Sequence, residues 1–292
     1  MFSKTNKLAA LGATLFFAGH AIAEEIKAIY LFGNVSNSNT QAIKTSGFNA
    51  AIIFALNLKD NGDIVYPAIT AGDVETPLVT NGVYVGGSAY SDLVSGYKTG
   101  DTTIDRTEVT VGPYTTIQSL VNSAGTGADT YLAKSLAALK SAWNLDAVNN
   151  DDESLYDVSS TVKLGELLGN IGFKYTTAPY TNIGFWQTIT EQINAKTAGL
   201  LDRTYLQCYD GGAGNDPADW QNALGMKIVP LLWVTNNAKP SDGKTPAQMK
   251  SQFTTWLNED QIAGGGLWNQ YDIEQTKTPY SDYSDVLNSV FG

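Results

Sequence analysis

The chain has 292 residues, a formal net charge of −11, one cysteine and one histidine. An acidic chain without a basic patch argues against a nucleic-acid-binding protein and against binding to anionic membranes. The single cysteine, Cys208, cannot form an internal disulfide. The single histidine, His20, lies near the N-terminus, so the rest of the chain has no Ser-His-Asp or Cys-His catalysis and no histidine metal site.

The first 23 residues are typical of a secretory signal peptide. Lys4 and Lys7 precede an apolar run from Leu8 to Ala18, and Ala21-Ile22-Ala23 provides an A-x-A cleavage site. This apolar run is too short to span a membrane, and no later segment approaches the ~20 apolar residues that a span requires. We therefore predict a secreted or periplasmic protein with a single domain over residues 24–292 and no membrane span.

From Glu25 onward, apolar runs bounded by turn residues alternate with stretches of helical periodicity, which indicates repeated βα units around a parallel sheet. The predicted strands are Ile26 to Phe32, Phe48 to Leu56, Val109 to Gly112, Leu145 to Asp151, Phe173 to Ala178, Thr204 to Tyr209, Ile228 to Trp233 and Gly266 to Asn269. The predicted helices are Thr40 to Lys44, Thr130 to Trp143, Val162 to Leu168, Phe185 to Ile193, Pro217 to Leu224, Pro246 to Leu257 and Tyr283 to Val290. Eight βα units in about 270 residues predict a single α/β domain, a (β/α)8 TIM barrel with its chemistry at the C-terminal ends of the strands.

The segment from Ile64 to Glu108 interrupts this rhythm between the second and third strands. It is rich in Gly, Thr and Tyr and lacks helical periodicity, which predicts a β-rich excursion. Two roles fit the segment equally well, a substrate wall over the barrel mouth or a hairpin that only stabilises the barrel.

The fourth predicted strand ends in a run of acids, Asp151-Asp152-Glu153. On a strand, Asn149, Asp151 and Glu153 share one face, so two carboxyls lie side by side. Like charges this close raise one pKa, which gives a protonated acid beside an ionised partner, as acid-catalysed bond cleavage requires. Taken alone, such a cluster is more often a solvated acidic loop or a calcium-binding turn.

This stretch resembles the family 18 glycoside hydrolases, the chitinase and endo-β-N-acetylglucosaminidase family, whose fourth strand carries D-G-x-D-x-D-x-E. The matching residues run from Asp146 to Glu153 and keep the last Asp and the Glu. Asn149 replaces the central Asp, Ala147 the Gly, and Asn150 an apolar position.

Other stretches resemble the small, hevamine-like members of the family in the same chain order. They are Phe54-Ala55-Leu56-Asn57 with the following turn, Thr177-Ala178-Pro179, Gln207-Cys208-Tyr209-Asp210, and Gly264-Gly265-Gly266-Leu267-Trp268. The third-strand S-x-G-G motif is reduced to Val111-Gly112-Pro113. Trp268 lies one residue early, so strict alternation predicts that it faces the wrong side, unless a bulge intervenes or Asn269 takes its place.

The resemblance implies substrate-assisted retaining hydrolysis, with no cofactor and no metal. Glu153 would be the general acid, held protonated by its neighbour and by partial burial. Asp151 would orient the substrate acetamido group, and Tyr209 would hydrogen-bond its carbonyl. The implied substrate-binding residues are Asn149, Gln207, Asp210 and Trp268. As a neutral amide, Asn149 can still hydrogen-bond Asp151 but cannot share a proton or a charge with it. We therefore expect a shifted pH optimum or lower turnover and not a loss of chemistry.

The first interpretation is thus a secreted hydrolase that cleaves β-1,4 linkages beside N-acetylglucosamine, in chitin or related glycans. Its alternative is a non-catalytic carbohydrate-binding or inhibitor protein of the same fold, although decayed members typically lose the acid or its partner. A third possibility, a calcium-binding surface protein, would need acids clustered at several loops, a pattern that the sequence lacks. The sequence leaves the oligomeric state open.

Overall fold

The computed structural model describes residues 25–69 and 72–292. The predicted signal peptide lies outside these residues. The strands, in chain order, are β1 (Ile26–Phe32), β2 (Ala50–Leu58), β3 (Ile64–Tyr66), β4 (Thr76–Thr80), β5 (Val83–Tyr84), β6 (Arg106–Gly112), β7 (Ala147–Asn150), β8 (Lys174–Thr177), β9 (Leu201–Gln207), β10 (Val229–Trp233) and β11 (Gly264–Trp268).

Eight of these strands form a closed parallel ring in the order β1, β2, β6, β7, β8, β9, β10, β11, with β11 pairing back to β1. All eight predicted strands are present in this ring, which confirms the predicted TIM barrel. The ring encloses buried aliphatic and aromatic side chains, as expected for parallel strands covered by helices.

The helices are α1 (Thr40–Thr45), α2 (Gly87–Ser95), α3 (Tyr114–Ala124), α4 (Tyr131–Trp143), α5 (Val158–Asn170), α6 (Ile183–Lys196), α7 (Pro217–Leu224), α8 (Pro246–Asp260), α9 (Gln270–Gln275) and α10 (Tyr280–Phe291). Each predicted helix is present, while α2, α3 and α9 were not predicted. The sequence of α3 is rich in Thr and Ser, and only Ile117 and Val121 are buried, so its apolar stripe is weak. None of the helices in residues 25–69 and 72–292 combines the length and apolar character that crossing a membrane would require.

The predicted β-rich excursion is present, but it also contains a helix. Strands β3, β4 and β5 extend the edge of β2 as an antiparallel ribbon, and α2 follows them. The ribbon packs on α4, where the Trp143 indole N–H donates to the Tyr84 hydroxyl at 3.0 Å and the Trp143 ring stacks on Tyr90. None of its described residues lines the main cavity. The described part of the excursion therefore packs against the barrel helices as a stabilising ribbon and contributes no residue to this cavity.

Three glycines at the start of β11 let the barrel close tightly. A Cβ at Gly265 would meet Phe253 and Phe291 on the helical side, whereas one at Gly266 would meet Leu231 and Ala28. Gly266 therefore faces the barrel interior, and Trp268, two residues later, faces inward by ordinary alternation. The expectation that Trp268 faces the wrong side is wrong, and neither a bulge nor Asn269 is needed to explain its position.

Gly264 offers a test of this tight closure. Its φ is +145°, and an added Cβ would overlap the Ile26 carbonyl oxygen. We expect Gly264→Ala to lower the free energy of unfolding by about 2–4 kcal/mol, measured by urea denaturation, because backbone strain and overpacking act together. Gly184→Ala is the control, since its Cβ would meet nothing within 4 Å. Equal stabilities of the two variants would contradict this account.

Candidate active site

A cavity of about 410 Å³ opens at the carboxyl ends of the ring strands. Its walls contain three carboxyls and six aromatic side chains. The lining residues are Tyr30, Phe54, Asp151, Glu153, Ala178, Tyr180, Gln207, Tyr209, Asp210, Gly211, Leu231, Trp233 and Trp268. Six of the seven residues predicted from the sequence line this cavity, and Asn149 does not.

Gln207 connects the two acids. Its side-chain N–H₂ group donates to Asp151 Oδ1 at 2.8 Å, to Glu153 Oε1 at 3.2 Å and to the Ala178 carbonyl oxygen at 2.9 Å. One amide nitrogen has two hydrogens, so these three acceptors share them. Gln207 thus fixes the two carboxyls relative to each other, a role in addition to the substrate contact predicted for it.

The two acids differ in burial. Glu153 is exposed, so the expectation of its partial burial is wrong. Asp151 lies deeper, and its backbone N–H donates to the Tyr114 hydroxyl at 2.5 Å. Burial raises the pKa of Asp151 well above its ordinary value of 3.8, and the nearby Glu153 and Asp152 raise it further. In the unliganded protein, burial therefore favours the protonated form of Asp151.

The third acid of the run, Asp152, has a structural role. It is buried, and its carboxylate accepts the backbone N–H groups of Ser154 at 3.0 Å, Leu155 at 2.8 Å and Tyr156 at 2.8 Å. These bonds close the turn that follows β7. Because Glu153 lies inside this turn, Asp152 holds the backbone that presents Glu153 to the cavity.

Asn149 lies below the cavity and is completely buried. Its Oδ1 accepts from the Tyr30 hydroxyl at 3.2 Å and the Thr110 hydroxyl at 3.0 Å, and its Nδ2 donates to Thr176 Oγ1 at 2.9 Å. The predicted hydrogen bond from Asn149 to Asp151 is absent. Without exposed surface, Asn149 has no atom available to a bound sugar in this structure. Thr110 was missed at the sequence level, although it begins a T-x-G that approximates the family's S-x-G.

The layer beneath Asn149 carries a buried charge, the carboxylate of Glu108. Glu108 accepts from the hydroxyls of Thr176 at 2.5 Å and Tyr205 at 2.8 Å, and it pairs with Arg106 Nε at 2.7 Å. Arg106 in turn makes two bonds of 2.8 Å to Asp202. Thr176 uses its only proton for Glu108, so the Asn149 amide must donate to Thr176.

Aromatic rings form the floor and one wall of the cavity. Trp268 contacts Phe54, with ring centroids 4.8 Å apart, and stacks on Tyr209 at 6.3 Å with an interplanar angle of 16°. Trp233 also contacts Tyr209, and its indole N–H donates to Asp272 Oδ2 at 2.8 Å. Such faces match the apolar faces of sugar rings.

Tyr209 brings its hydroxyl to the two acids. Burial raises its pKa well above the ordinary value, and the charges of Asp151 and Glu153 raise it further. The hydroxyl therefore keeps its proton and can donate it. Within the described part of the chain, this hydroxyl has no hydrogen-bond partner, so it is free to bind a ligand.

The remaining predicted residue, Asp210, lies at the rim. It is exposed and forms an ion pair with Lys239. Tyr30, Phe54 and Tyr180 were not predicted as lining residues. Phe54 and Ala178 stand in motifs that were recognised, whereas no motif contains Tyr30 or Tyr180. The described residues contain no group of three or more His, Cys, Asp or Glu side chains placed to hold a metal ion.

The raised pKa of Asp151 predicts a pH-dependent stability. A folded-state pKa above the unfolded value contributes stability below about pH 4, which is lost as the pH rises through the folded-state pKa. We therefore expect Asp151→Asn to gain stability relative to the parent as the pH increases from 4 to 8, measured by urea unfolding. Asp152→Asn should be less stable than the parent, because it weakens three backbone hydrogen bonds. If the unfolding free energies of the parent and Asp151→Asn changed in parallel with pH, the raised pKa of Asp151 would be refuted.

The buried network predicts that an acid is not tolerated at position 149. Asn149→Asp would place a second carboxyl beside Glu108 and remove the donor to Thr176, so we expect a loss of about 2–4 kcal/mol in unfolding free energy. Adding Glu108→Gln should recover part of the loss, because only one buried carboxyl then remains. The exposed Asn122→Asp is the control and should stay within about 0.5 kcal/mol of the parent. If the effects of Asn149→Asp and Glu108→Gln on the unfolding free energy were strictly additive, the two side chains would not be coupled.

Comparison with known proteins yields structural matches only, since no family model and no curated protein sequence matches the chain. The catalytic domain of a family 18 chitinase from the fern Peteris ryukyuensis matches with a TM-score of 0.59 and 14% identity, covering 91% of this chain and 99% of that one. The family 18 chitinase ChiB of Flavobacterium johnsoniae matches with a TM-score of 0.62 and 10% identity, covering 92% and 94%. A mutant family 18 chitinase from Cycas revoluta in complex with (GlcNAc)4 matches with a TM-score of 0.60 and 11% identity, covering 91% and 100%.

These similarities extend over nearly the whole described domain, and they confirm the predicted resemblance at the level of the fold. The chain therefore has the fold of the family 18 chitinases.

Proposed function

We propose that the chain is a secreted glycosidase that cleaves β-1,4 linkages beside N-acetylglucosamine, in chitin or a related glycan. The observation that carries this proposal is the arrangement of Asp151, Glu153 and the free Tyr209 hydroxyl around Gln207, above an aromatic floor. The fold is shared with a chitinase that was solved with an N-acetylglucosamine tetramer.

In the proposed reaction, the acetamido carbonyl oxygen of the substrate attacks its own anomeric carbon. Glu153 donates a proton to the departing glycosidic oxygen. Tyr209 donates a hydrogen bond to the acetamido carbonyl and sets its direction of attack. Asp151 accepts a hydrogen bond from the acetamido N–H and balances the positive charge that develops on the ring. Glu153 then removes a proton from the incoming water.

The different burial of the two acids supports this division of roles. In the free protein, burial favours the proton on Asp151. Glu153 is exposed at the cavity, where it can face the glycosidic oxygen of a bound sugar, whereas Asp151 lies deeper, where it can face the acetamido group. The proposed reaction requires Asp151 to be ionised when the positive charge develops.

The alternative function is a non-catalytic carbohydrate-binding or inhibitor protein. Both functions would use the same aromatic floor to bind sugar, so a measurement of sugar affinity does not distinguish them. A measurement of substrate turnover does.

Glu153→Gln tests the proposal most directly. We expect the parent to release the fluorophore from a fluorogenic chitobiose or chitotriose glycoside, and the variant to lose about 100- to 10,000-fold in kcat. Sugar affinity should change little, because the amide keeps the shape of the acid. Glu191→Gln, exposed on α6, is the matched control and should retain the activity of the parent. An inactive parent that still binds chito-oligosaccharides would favour the non-catalytic alternative.

Tyr209→Phe tests the proposed role of the Tyr209 hydroxyl as a hydrogen-bond donor to the substrate. Since the hydroxyl has no hydrogen bond within the described chain, its removal should leave stability nearly unchanged. We expect kcat to fall by about 100- to 1,000-fold, the usual loss for one donor that stabilises the transition state. A loss confined to KM would show that Tyr209 only binds the substrate.

A further inference from the structure

A second cavity of about 450 Å³ opens at the opposite end of the barrel, where the ring strands begin. Its lining includes Arg106, Lys140, Lys174 and Arg203, together with Asp105 and Asp146. Arg106 and Arg203 are the only two arginines of the chain. An acidic protein thus places both of its arginines at one mouth of its barrel.

The charge of Arg106 is already compensated. Its guanidinium makes three hydrogen bonds to Glu108 and Asp202, at 2.7 to 2.8 Å. Asp202 reaches this position because the pairing of β8 with β9 shifts register around it, which leaves Asp202 as an extra residue between Leu201 and Arg203.

The charge of Arg203 is not compensated. Among the described residues no carboxylate lies within ion-pair distance of it, and its Nη1 is buried without a hydrogen-bond partner. The Tyr205 hydroxyl donates to Glu108, and its oxygen can accept a hydrogen bond from the Arg203 guanidinium, but this neutral group does not compensate the charge. Nη1 is shielded from solvent, but Arg203 is partly exposed and lines the cavity, so the accessible part of its guanidinium offers an anion an uncompensated charge.

The neighbouring lysines also lack carboxylate partners in the described chain. Lys140 lies over the Phe173 ring at 5.2 Å, and Lys174 donates to the Gly199 carbonyl oxygen at 2.6 Å. Of the two acids in the lining, Asp146 is bound by Lys98 at 2.6 Å and by the Thr107 N–H at 2.8 Å. Asp105 would repel a bound anion, but it is exposed to solvent, which screens its charge.

We propose that this basal cavity binds a small oxyanion, with Arg203 as its principal ligand and Lys140 and Lys174 as supporting charges. Phosphate, sulfate and carboxylate share the chemistry that a planar guanidinium recognises, two oxygens set side by side. The site lies at the end of the barrel remote from the acid pair, so its effect is on stability and not on the chemical step.

The test is isothermal titration calorimetry of the protein with sodium phosphate, sodium sulfate and sodium acetate, at an ionic strength held constant with sodium chloride. The same titrations are followed by thermal unfolding. We expect saturable one-site binding of at least one oxyanion and a parallel saturable rise in the unfolding temperature. The ranking of the three salts identifies whether a tetrahedral or a planar anion is preferred.

Arg203→Gln should weaken binding at least tenfold, and in chloride alone it should unfold at the same or a higher temperature than the parent. Lys250→Gln, exposed on α8, is the matched control and should bind as the parent does. Glu153→Gln should also bind normally, since its change lies at the other end of the barrel. If Arg203→Gln does not fold, the double variant Lys140→Gln, Lys174→Gln provides the same comparison.

Sulfate and phosphate also stabilise many proteins by being excluded from their surfaces, an effect that does not saturate. Stabilisation that rises without saturation, or that persists unchanged in the Arg203 or double-lysine variant, would overturn the proposal. The absence of any calorimetric binding by the parent would overturn it as well.

Discussion

The buried carboxylate of Glu108 is the constraint on which the interior of the barrel depends. A charge without access to water must be matched by donors, and Arg106, Tyr205 and Thr176 supply them. Each of these donors is then committed to Glu108, which decides what the next layer can contain. Asn149 fits above it because one side chain can donate to Thr176 and accept from Tyr30 and Thr110 at the same time. An ionised aspartate offers acceptors only, so the amide follows from the acid below it.

This neutral layer determines the electrostatics of the acid pair above. Asp151 is surrounded by Tyr30, Tyr114 and Tyr209, whose pKa values are all raised by burial, and by no cation of the described chain within ion-pair distance. Only the Gln207 amide, which donates to Asp151 at 2.8 Å, offsets part of the cost of ionising it. The same environment that destabilises the folded protein at neutral pH keeps a proton available in the cavity. Asp152, by contrast, faces three backbone N–H groups and serves the backbone.

Much of the fold could be predicted because strands and helices leave local patterns in the sequence. The eight ring strands are short apolar runs, and helices such as α7 and α8 begin at Asp216-Pro217 and Thr245-Pro246 with N-cap hydrogen bonds. The acid pair and Tyr209 could be located because each follows a strand of this pattern. The partial burial expected for Glu153 was wrong, since exposure after the end of a strand depends on the turn that Asp152 closes.

The remaining features depend on contacts between distant parts of the chain. The partners of Asn149 come from β1, β6 and β8, so its role could not be derived from the acidic stretch alone. The direction of Trp268 follows from which neighbours Gly265 and Gly266 meet, and the position of the β3–β5 ribbon follows from its packing on α4.

The two ends of the barrel carry opposite imbalances of charge. At the carboxyl end, two acids share a cavity without a cation beside them, whereas at the other end Arg203 lacks an anion among the described residues. In the proposed reaction, a substrate that develops positive charge would compensate the first imbalance in the transition state. The second lies where no chemistry is placed in barrels of this type. An anion bound there would add stability to the end of the fold that supports Glu108, and it would offset part of the stability that the acid pair removes at the other end.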